Sequence, residues 1–177
     1  HVFVAQKLDP FSLIVNTNAG WVLMIAGRYD DAIVELQRVL DLDSTYVQAR
    51  QRLVAVLRWD GRMEESVAEA EHVVAHTDSS THSLGSLAAT YARAGRTTEA
   101  RAVLAKLRAR AEHQYVPPWT FVHPLVLLGD MDSAAVWTDK AFREGSNAIA
   151  YLETEPEIAP LLRHPRVQTV LHAAGLE

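Results

Sequence analysis

The sequence predicts an all-α fold, a right-handed α-solenoid of helical hairpins closed by a C-terminal helical cap. Three observations lead to this prediction. A short motif that begins with glycine recurs at one constant interval, at Gly27, Gly61, Gly95 and Gly129. Apolar residues precede each glycine by four and by eight positions, and a small residue follows it by five. Such a period is typical of stacked hairpins, because one hairpin cannot bury its apolar face without its neighbours.

The recurring glycine is predicted to end the first helix of each hairpin, since a left-handed terminal residue costs glycine little. A small side chain five positions later lets the two helices approach closely; these residues are Ala32, Ser66, Ala100 and Ala134. The residues before the glycines share one face of an α-helix, which we expect to lie in the core. They are Ala19, Leu53, Leu87 and Phe121, and then Leu23, Leu57, Tyr91 and Leu125.

The repeats give eight helices in order along the chain. We expect them at residues 12–26, 29–42, 46–59, 63–76, 80–94, 97–112, 117–128 and 131–144. They form four repeats over residues 12–145. Residues 1–11 are expected to be the tail of a truncated preceding repeat, because Leu8 holds the place that Leu42 holds one period later. Pro124 predicts a kink or a break in the seventh helix, since proline removes a backbone donor.

Beyond Gly145 the repeat pattern is lost. The stretches from Pro156 to Leu162 and from Pro165 to Ala174 are predicted as two short helices, and Gly175 ends the second. An apolar stripe on the second helix suits a segment that covers the end of a solenoid. We therefore expect one domain over residues 1–177, with residues 146–177 as the cap.

With these residues the chain resembles the tetratricopeptide repeat family. The match is clearest in two repeats, at Gly20, Leu23, Gly27, Tyr29, Ala32, Leu36 and Val39, and at Leu87, Ala88, Tyr91, Gly95, Ala100, Leu104 and Leu107. The resemblance implies a scaffold that binds a protein or a peptide. The carboxylate clamp of that family uses Lys and Asn where this chain has Thr17, Trp21, Gln51 and Ala55, so we do not expect that specificity here.

The last third of the chain is similar to the terminal repeats of bacterial multidomain regulators. The residues that carry this resemblance are Tyr115 to Trp119, Leu127 to Asp130, Trp137, Lys140 to Phe142, Pro156, and Pro160 to Arg166. In such regulators a cyclase, kinase or winged-helix domain is joined to a C-terminal repeat array. The resemblance implies a docking or sensing module of a larger bacterial regulatory or signalling protein.

Composition excludes several classes of function. The formal net charge of −5 and the isoelectric point near 5.9 argue against direct nucleic-acid binding, which usually needs a basic surface. The sequence has no cysteine, so disulfides and thiolate zinc sites are excluded. No apolar run is long enough to span a bilayer. We expect a cytoplasmic location, and a periplasmic one stays open if the natural protein has a transmembrane segment elsewhere.

No pattern with a catalytic mechanism is present, so we do not expect an enzyme or a cofactor. His72 and His76 lie four residues apart and could share a metal on one helix face. A third protein ligand is not evident, and the repeat places this pair on an outer helix. We therefore predict no metal site.

The first helices of the hairpins should instead offer a concave binding surface. We expect it to include Thr17, Trp21, Gln51, Arg52, Trp59, Arg93, Trp119 and His123, since Trp and Arg are common anchors of interfaces. Trp21 and Trp59 could equally pack between helices. The alternative to a peptide groove is a closed pocket for a small apolar molecule near Trp119 and His123. The apolar residues from Val2 to Ala5 further predict a homodimer through the N-terminal end.

Overall fold

The computed structural model of this chain describes residues 1–76, 79–146 and 156–175, and these residues form helices joined by short connections. The all-α prediction is confirmed. In chain order the helices are α1 (Val2–Leu8), α2 (Leu13–Ile25), α3 (Tyr29–Leu42), α4 (Val47–Trp59), α5 (Met63–His76), α6 (Thr81–Arg93), α7 (Thr97–Ala111), α8 (Trp119–Leu127), α9 (Met131–Arg143), a 3₁₀ helix (Pro156–Arg163) and α10 (Pro165–Ala174).

The helices of the four repeats begin and end within about two residues of the predicted positions. The largest difference is at α8, which begins at Trp119 because two prolines precede it. The helix then continues without a break through Pro124. Phe121 and Leu125 on either side of this proline are buried, and their packing offsets the backbone hydrogen bond that proline removes.

Two backbone hydrogen bonds close each of the four hairpin turns, one from the glycine amide to the carbonyl three positions earlier and one from the residue after the glycine. Gly27, Gly61, Gly95 and Gly129 all have φ between 73° and 84°. The amide of the residue after each glycine donates to the carbonyl five positions earlier, as in the bond from Arg28 to Leu23 at 2.9 Å and the bond from Arg96 to Tyr91 at 2.8 Å. This is the Schellman arrangement, and it confirms the predicted role of the glycine.

The predicted core positions are buried, with one exception. Ala32, Ser66, Ala100 and Ala134 have no exposed surface, so the small residue does allow close approach of the two helices. The Ser66 hydroxyl donates to the Val54 carbonyl at 2.9 Å, which satisfies a polar group inside the hairpin. Tyr91 is the exception, because its ring is half-buried and lies under the Arg96 guanidinium, 4.6 Å from Cζ.

The chain divides into two compact units, His1–Ser83 and Leu84–Glu177. In the first unit α2 packs against α3, α3 against α4, and α4 against α5. Its core contains Met24, Leu36, Val39 and Val56. In the second unit α8 packs against α9, the 3₁₀ helix packs against α8, and α10 packs against α9.

The C-terminal helices are an integral part of the second unit. Ile158 and Leu161 of the 3₁₀ helix and Val167 of α10 have no exposed surface. The glycine and the small residue of the repeat are absent here, yet α10 begins at Pro165, one repeat period after α9 begins at Met131. The spacing of the repeat therefore persists after its sequence pattern has ended. The part of the predicted cap at residues 147–155 lies outside the described residues.

The N-terminal end of the first unit presents apolar side chains to solvent. Helix α1 has no buried residue. Leu8 is 82% exposed and Phe11 is 72% exposed, and Phe3, Val4 and Ile14 are exposed as well. Over the described residues, no helix combines the length and the apolar character that crossing a membrane requires.

Candidate functional site

The predicted surface residues lie on the first helices of the hairpins, and they form two separate groups. Thr17, Trp21, Gln51, Arg52 and Trp59 lie on α2 and α4 in the first unit. In the second unit Arg93 is on α6, and Trp119 and His123 are on α8.

Three side chains of the first unit form an aromatic and cationic cluster. The rings of Trp21 and Trp59 lie 6.3 Å apart between centroids and are tilted by 48°. The Arg52 guanidinium lies over the Trp21 ring, with Cζ 3.8 Å from the ring centroid. This distance is well inside the range of a cation–π contact. The structure thus brings Trp21 of α2 together with two residues of α4 that follow it by more than thirty positions.

The two tryptophans of this cluster are half-buried and pack against the core of the first unit. Packing between helices, one of the two interpretations of these tryptophans, therefore accounts for the buried part of each ring. One portion of each ring stabilises the contact between α2 and α4, and the other portion remains at the surface. An indole fixed in this way loses little conformational entropy when a partner covers it.

Thr17 does not contribute to a surface. It is only 4% exposed, because it lies beside the buried residues Asn16, Ala19 and Gly20 on the inner side of α2. The expectation that Thr17 is exposed is therefore wrong. Gln51 is half-buried, and its Nε2 donates to the Ser83 hydroxyl at 3.4 Å.

Two residues of the group in the second unit contact Glu157, a residue that the sequence pattern did not indicate. Glu157, on the 3₁₀ helix, places Oε2 2.9 Å from the Nε2 of His123 and Oε1 3.6 Å from the Nε of Arg93. Trp119 is half-buried at the first position of α8. In the sequence, Glu157 resembles an ordinary acidic residue at the start of a helix. Its separation from His123, equal to the repeat period, is the one signal that pointed to this contact.

His72 and His76 are stacked on α5 with ring centroids 4.1 Å apart and an angle of 21° between the ring planes. The His76 Nδ1 donates to the His72 carbonyl at 2.7 Å. In nearly parallel rings the nitrogen lone pairs do not converge on one point, which is unfavourable for a shared metal. Residues 1–76, 79–146 and 156–175 contain no group of three or more potential metal ligands.

Comparison with known proteins gives a likeness of structure alone. A scan against models of protein families found no match, and no curated protein sequence matched the chain. Among solved structures, a tetratricopeptide repeat protein from Parabacteroides merdae has a TM-score of 0.56 and 12% identity, over 99% of this chain and 70% of that one. YrrB, described as a TPR protein with an unusual peptide-binding site, has a TM-score of 0.54 and 17% identity, over 99% of this chain and 98% of that one.

Structural similarity at such low sequence identity is evidence for a shared fold only. The two solved structures match the chain along nearly its whole length, and its hairpins recur with a constant period and end on a left-handed glycine. The fold of this chain is that of the tetratricopeptide repeat, a helical α-solenoid.

Proposed function

We propose that this chain is a non-catalytic module that binds a protein or peptide segment through Trp21, Gln51, Arg52 and Trp59. The observation that carries the proposal is the cluster in which Arg52 lies over Trp21 and Trp21 contacts Trp59. Trp and Arg dominate the energetics of interfaces because they bury a large area and still supply polar contacts. The peptide-binding site named for YrrB, a structural neighbour, supports a peptide as the partner.

The arrangement of the cluster favours binding without large rearrangement. Stacking on Trp21 holds the planar Arg52 guanidinium in place, and the rings of both tryptophans are held by the core. Ordering a flexible arginine at an interface costs about 0.5 to 1.5 kcal/mol, and part of this cost has already been met here. A partner that stacks on the exposed portion of either indole would gain from a surface that is already formed.

We further propose that the chain serves a larger bacterial regulatory protein as its docking module. The resemblance of the last third to the terminal repeats of such regulators supports this context. The alternative, a closed pocket for a small apolar molecule near Trp119 and His123, gains no support from the described residues, because the His123 imidazole contacts the Glu157 carboxylate. A homodimer through the exposed apolar residues of α1 remains a prediction and is supported by their exposure.

The first experiment is to select peptides from a displayed random library on the intact chain and to measure their affinity for variants. We expect Arg52→Ala and Trp59→Ala each to weaken binding of the selected peptides by tenfold or more, about 1.4 kcal/mol. Arg101→Ala is the matched control, since Arg101 is an exposed arginine on the second helix of a hairpin.

Urea denaturation distinguishes a binding effect from a folding effect. Because Trp59 is half-buried, we expect Trp59→Ala to lower the unfolding free energy by about 2 kcal/mol, less than the 3 to 5 kcal/mol of a fully buried tryptophan. The chain would stay folded at room temperature. Selected peptides that bind both variants as tightly as the wild-type chain would contradict the proposed surface.

A further inference from the structure

In the second unit, the 3₁₀ helix contacts α6 and α8 through Glu157 in the way that a bound peptide would. Glu157 belongs to the 3₁₀ helix, whereas its two partners, the Arg93 guanidinium and the His123 imidazole, belong to α6 and α8. The carboxylate lies between the His123 imidazole and the Arg93 guanidinium, and the Glu157 side chain is only 10% exposed. A hydrogen bond from the imidazole and the positive charge of the guanidinium compensate for the removal of the carboxylate from water.

The 3₁₀ helix has one apolar face, and this face is buried. Ile158 and Leu161 are three residues apart, so they lie on the same side of a helix with three residues per turn. Both have no exposed surface, whereas Ala159 and Pro160 between them are exposed. An acidic residue followed by two apolar anchors on one face is the pattern of a short helix lying in a groove.

The residues that contact Glu157 are the periodic equivalents of the cluster in the first unit. Arg93 lies one repeat period after Trp59, and His123 lies three periods after Trp21. These two positions are on the first helices but outside the hairpin core, where Phe121 and Leu125 are buried. The repeat therefore places Arg93 at the position of Trp59, and His123 at the position of Trp21, within their hairpins.

We infer that the surface formed by Arg93 and His123 is a second peptide-binding site, occupied in cis by the segment from Pro156 to Arg163. Glu157 is the acidic anchor of this ligand, and Ile158 and Leu161 are its apolar anchors. The site would take in trans a short helical peptide of the form Glu-Ile-x-x-Leu. This inference does not depend on the cluster of Trp21, Arg52 and Trp59.

The occupant in cis should exclude a competing peptide from the wild-type chain. A tethered segment acts at an effective concentration of roughly millimolar, so a free peptide of the same sequence competes poorly. Weakening the anchors of the tethered segment removes this competition. The variant Glu157→Ala with Ile158→Ala is therefore expected to open the site to a peptide added in solution.

The test uses the full-length chain and a fluorescent peptide with the sequence of residues 156–163. Fluorescence anisotropy should show binding to the double variant at least tenfold tighter than to the wild-type chain. Replacing Glu with Gln in the peptide, or Arg93→Gln in the double variant, should each weaken binding by fivefold or more. Arg101→Gln in the same background is the control and should leave the affinity unchanged.

A second measurement covers the case in which the double variant does not fold, as judged by circular dichroism. The chain has no cysteine, so Ala159→Cys, at an exposed position, gives a single site for a fluorophore in an otherwise wild-type chain. Millimolar peptide should displace the labelled segment and lower its anisotropy, and the Gln peptide should not. The inference is overturned if a folded double variant does not bind the peptide, or if the labelled segment does not respond to it.

The outcomes also separate this site from the proposed function. The Arg52 and Trp59 variants test the proposed function, because their binding is measured with peptides selected from the library. The Arg93 variant tests the second site, because its binding is measured with the peptide of residues 156–163. If the chain binds the selected peptides through Arg52 but never binds the second peptide, the proposed function stands and the second site is rejected.

Discussion

At the scale of single residues, local backbone chemistry determines most of what is observed. The turn between the two helices of a hairpin requires a left-handed residue, and glycine adopts this conformation without strain. At Gly61 and Gly95 an added Cβ would meet no atom within 4 Å. The strain of positive φ is therefore the main cost of a side chain at these positions.

We expect Gly61→Ala and Gly95→Ala each to lower the unfolding free energy by about 1 kcal/mol. Thermal and urea denaturation would measure the loss. Gly85→Ala is an informative comparison, because its Cβ would lie 2.7 Å from Thr120 Cγ2 and 3.1 Å from the Thr120 carbonyl oxygen. Crowding there should cost about 2 kcal/mol. Melting curves unchanged by both turn substitutions would contradict the assigned role of the glycines.

The connection after α3 contains a small polar motif with a measurable effect on ionisation. The Thr45 hydroxyl donates to Asp43 Oδ1 at 2.7 Å, and the Thr45 amide donates to the same oxygen at 2.8 Å. These two hydrogen bonds lower the pKa of the Asp43 carboxyl below its usual value, and the hydroxyl has the larger effect. Because the folded pKa is the lower one, the stabilisation is present at neutral pH and is lost as the pH falls through that value.

We expect Thr45→Val to raise the pKa of Asp43 towards its ordinary value, since only the amide hydrogen bond would remain. Carbon-detected NMR titration of the Asp43 carboxyl would show the change. Thr98→Val, at an exposed position on α7, is the control and should leave the titration of Asp43 unaltered. An identical pKa in the wild-type chain and Thr45→Val would show that the hydroxyl does not contribute.

Among the helices, the repeat period determines where each helix begins along the chain, and the buried side chains determine which helices pack together. The 3₁₀ helix has lost the glycine and the small residue of the repeat, yet Ile158 and Leu161 bury it against the second unit. A hydrogen bond between the His164 imidazole and Asp132, at 3.1 Å, ties the start of α10 to α9. Side-chain packing thus keeps this pair of helices in place without the motif.

We expect Ile158→Ala to lower the unfolding free energy by about 3 kcal/mol, because it leaves a cavity at a position with no exposed surface. Ala159→Ser, at the exposed neighbouring position, should stay within about 0.5 kcal/mol of the wild-type chain. Urea denaturation monitored by circular dichroism measures both values. Equal stability of the two variants would mean that the 3₁₀ helix is not packed as described.

At the scale of the whole molecule, an apolar surface at the N-terminal end remains to be covered. Leu8, Phe11 and Ile14 are exposed together with Phe3 and Val4 of α1. Removing apolar area from water gains about 25 cal/mol per Å², from which the cost of association is subtracted. A twofold pairing of this end with a second copy is the simplest closed arrangement, because the same residues contact each other in both copies.

We predict a dimer that dissociates when this surface is made polar. Light scattering over a concentration series should give a dimeric mass for the wild-type chain and a monomeric mass for Leu8→Ser with Phe11→Ser. Val34→Ser with Val136→Ser, at exposed apolar positions elsewhere, is the control and should remain dimeric. A monomeric mass for the wild-type chain at all concentrations would reject the dimer.

The architecture of this protein follows from its repeat pattern. A motif repeated at a constant interval specified the helices, the glycine turns and the buried small residues, because each depends on neighbours within one hairpin. Which surface residues contact each other is visible only in the folded chain. Arg52 stacks on Trp21, Thr17 is buried, and Glu157 lies between His123 and Arg93. These outcomes depend on the rotation of each helix and on contacts between distant segments, and a periodic pattern does not specify either of them.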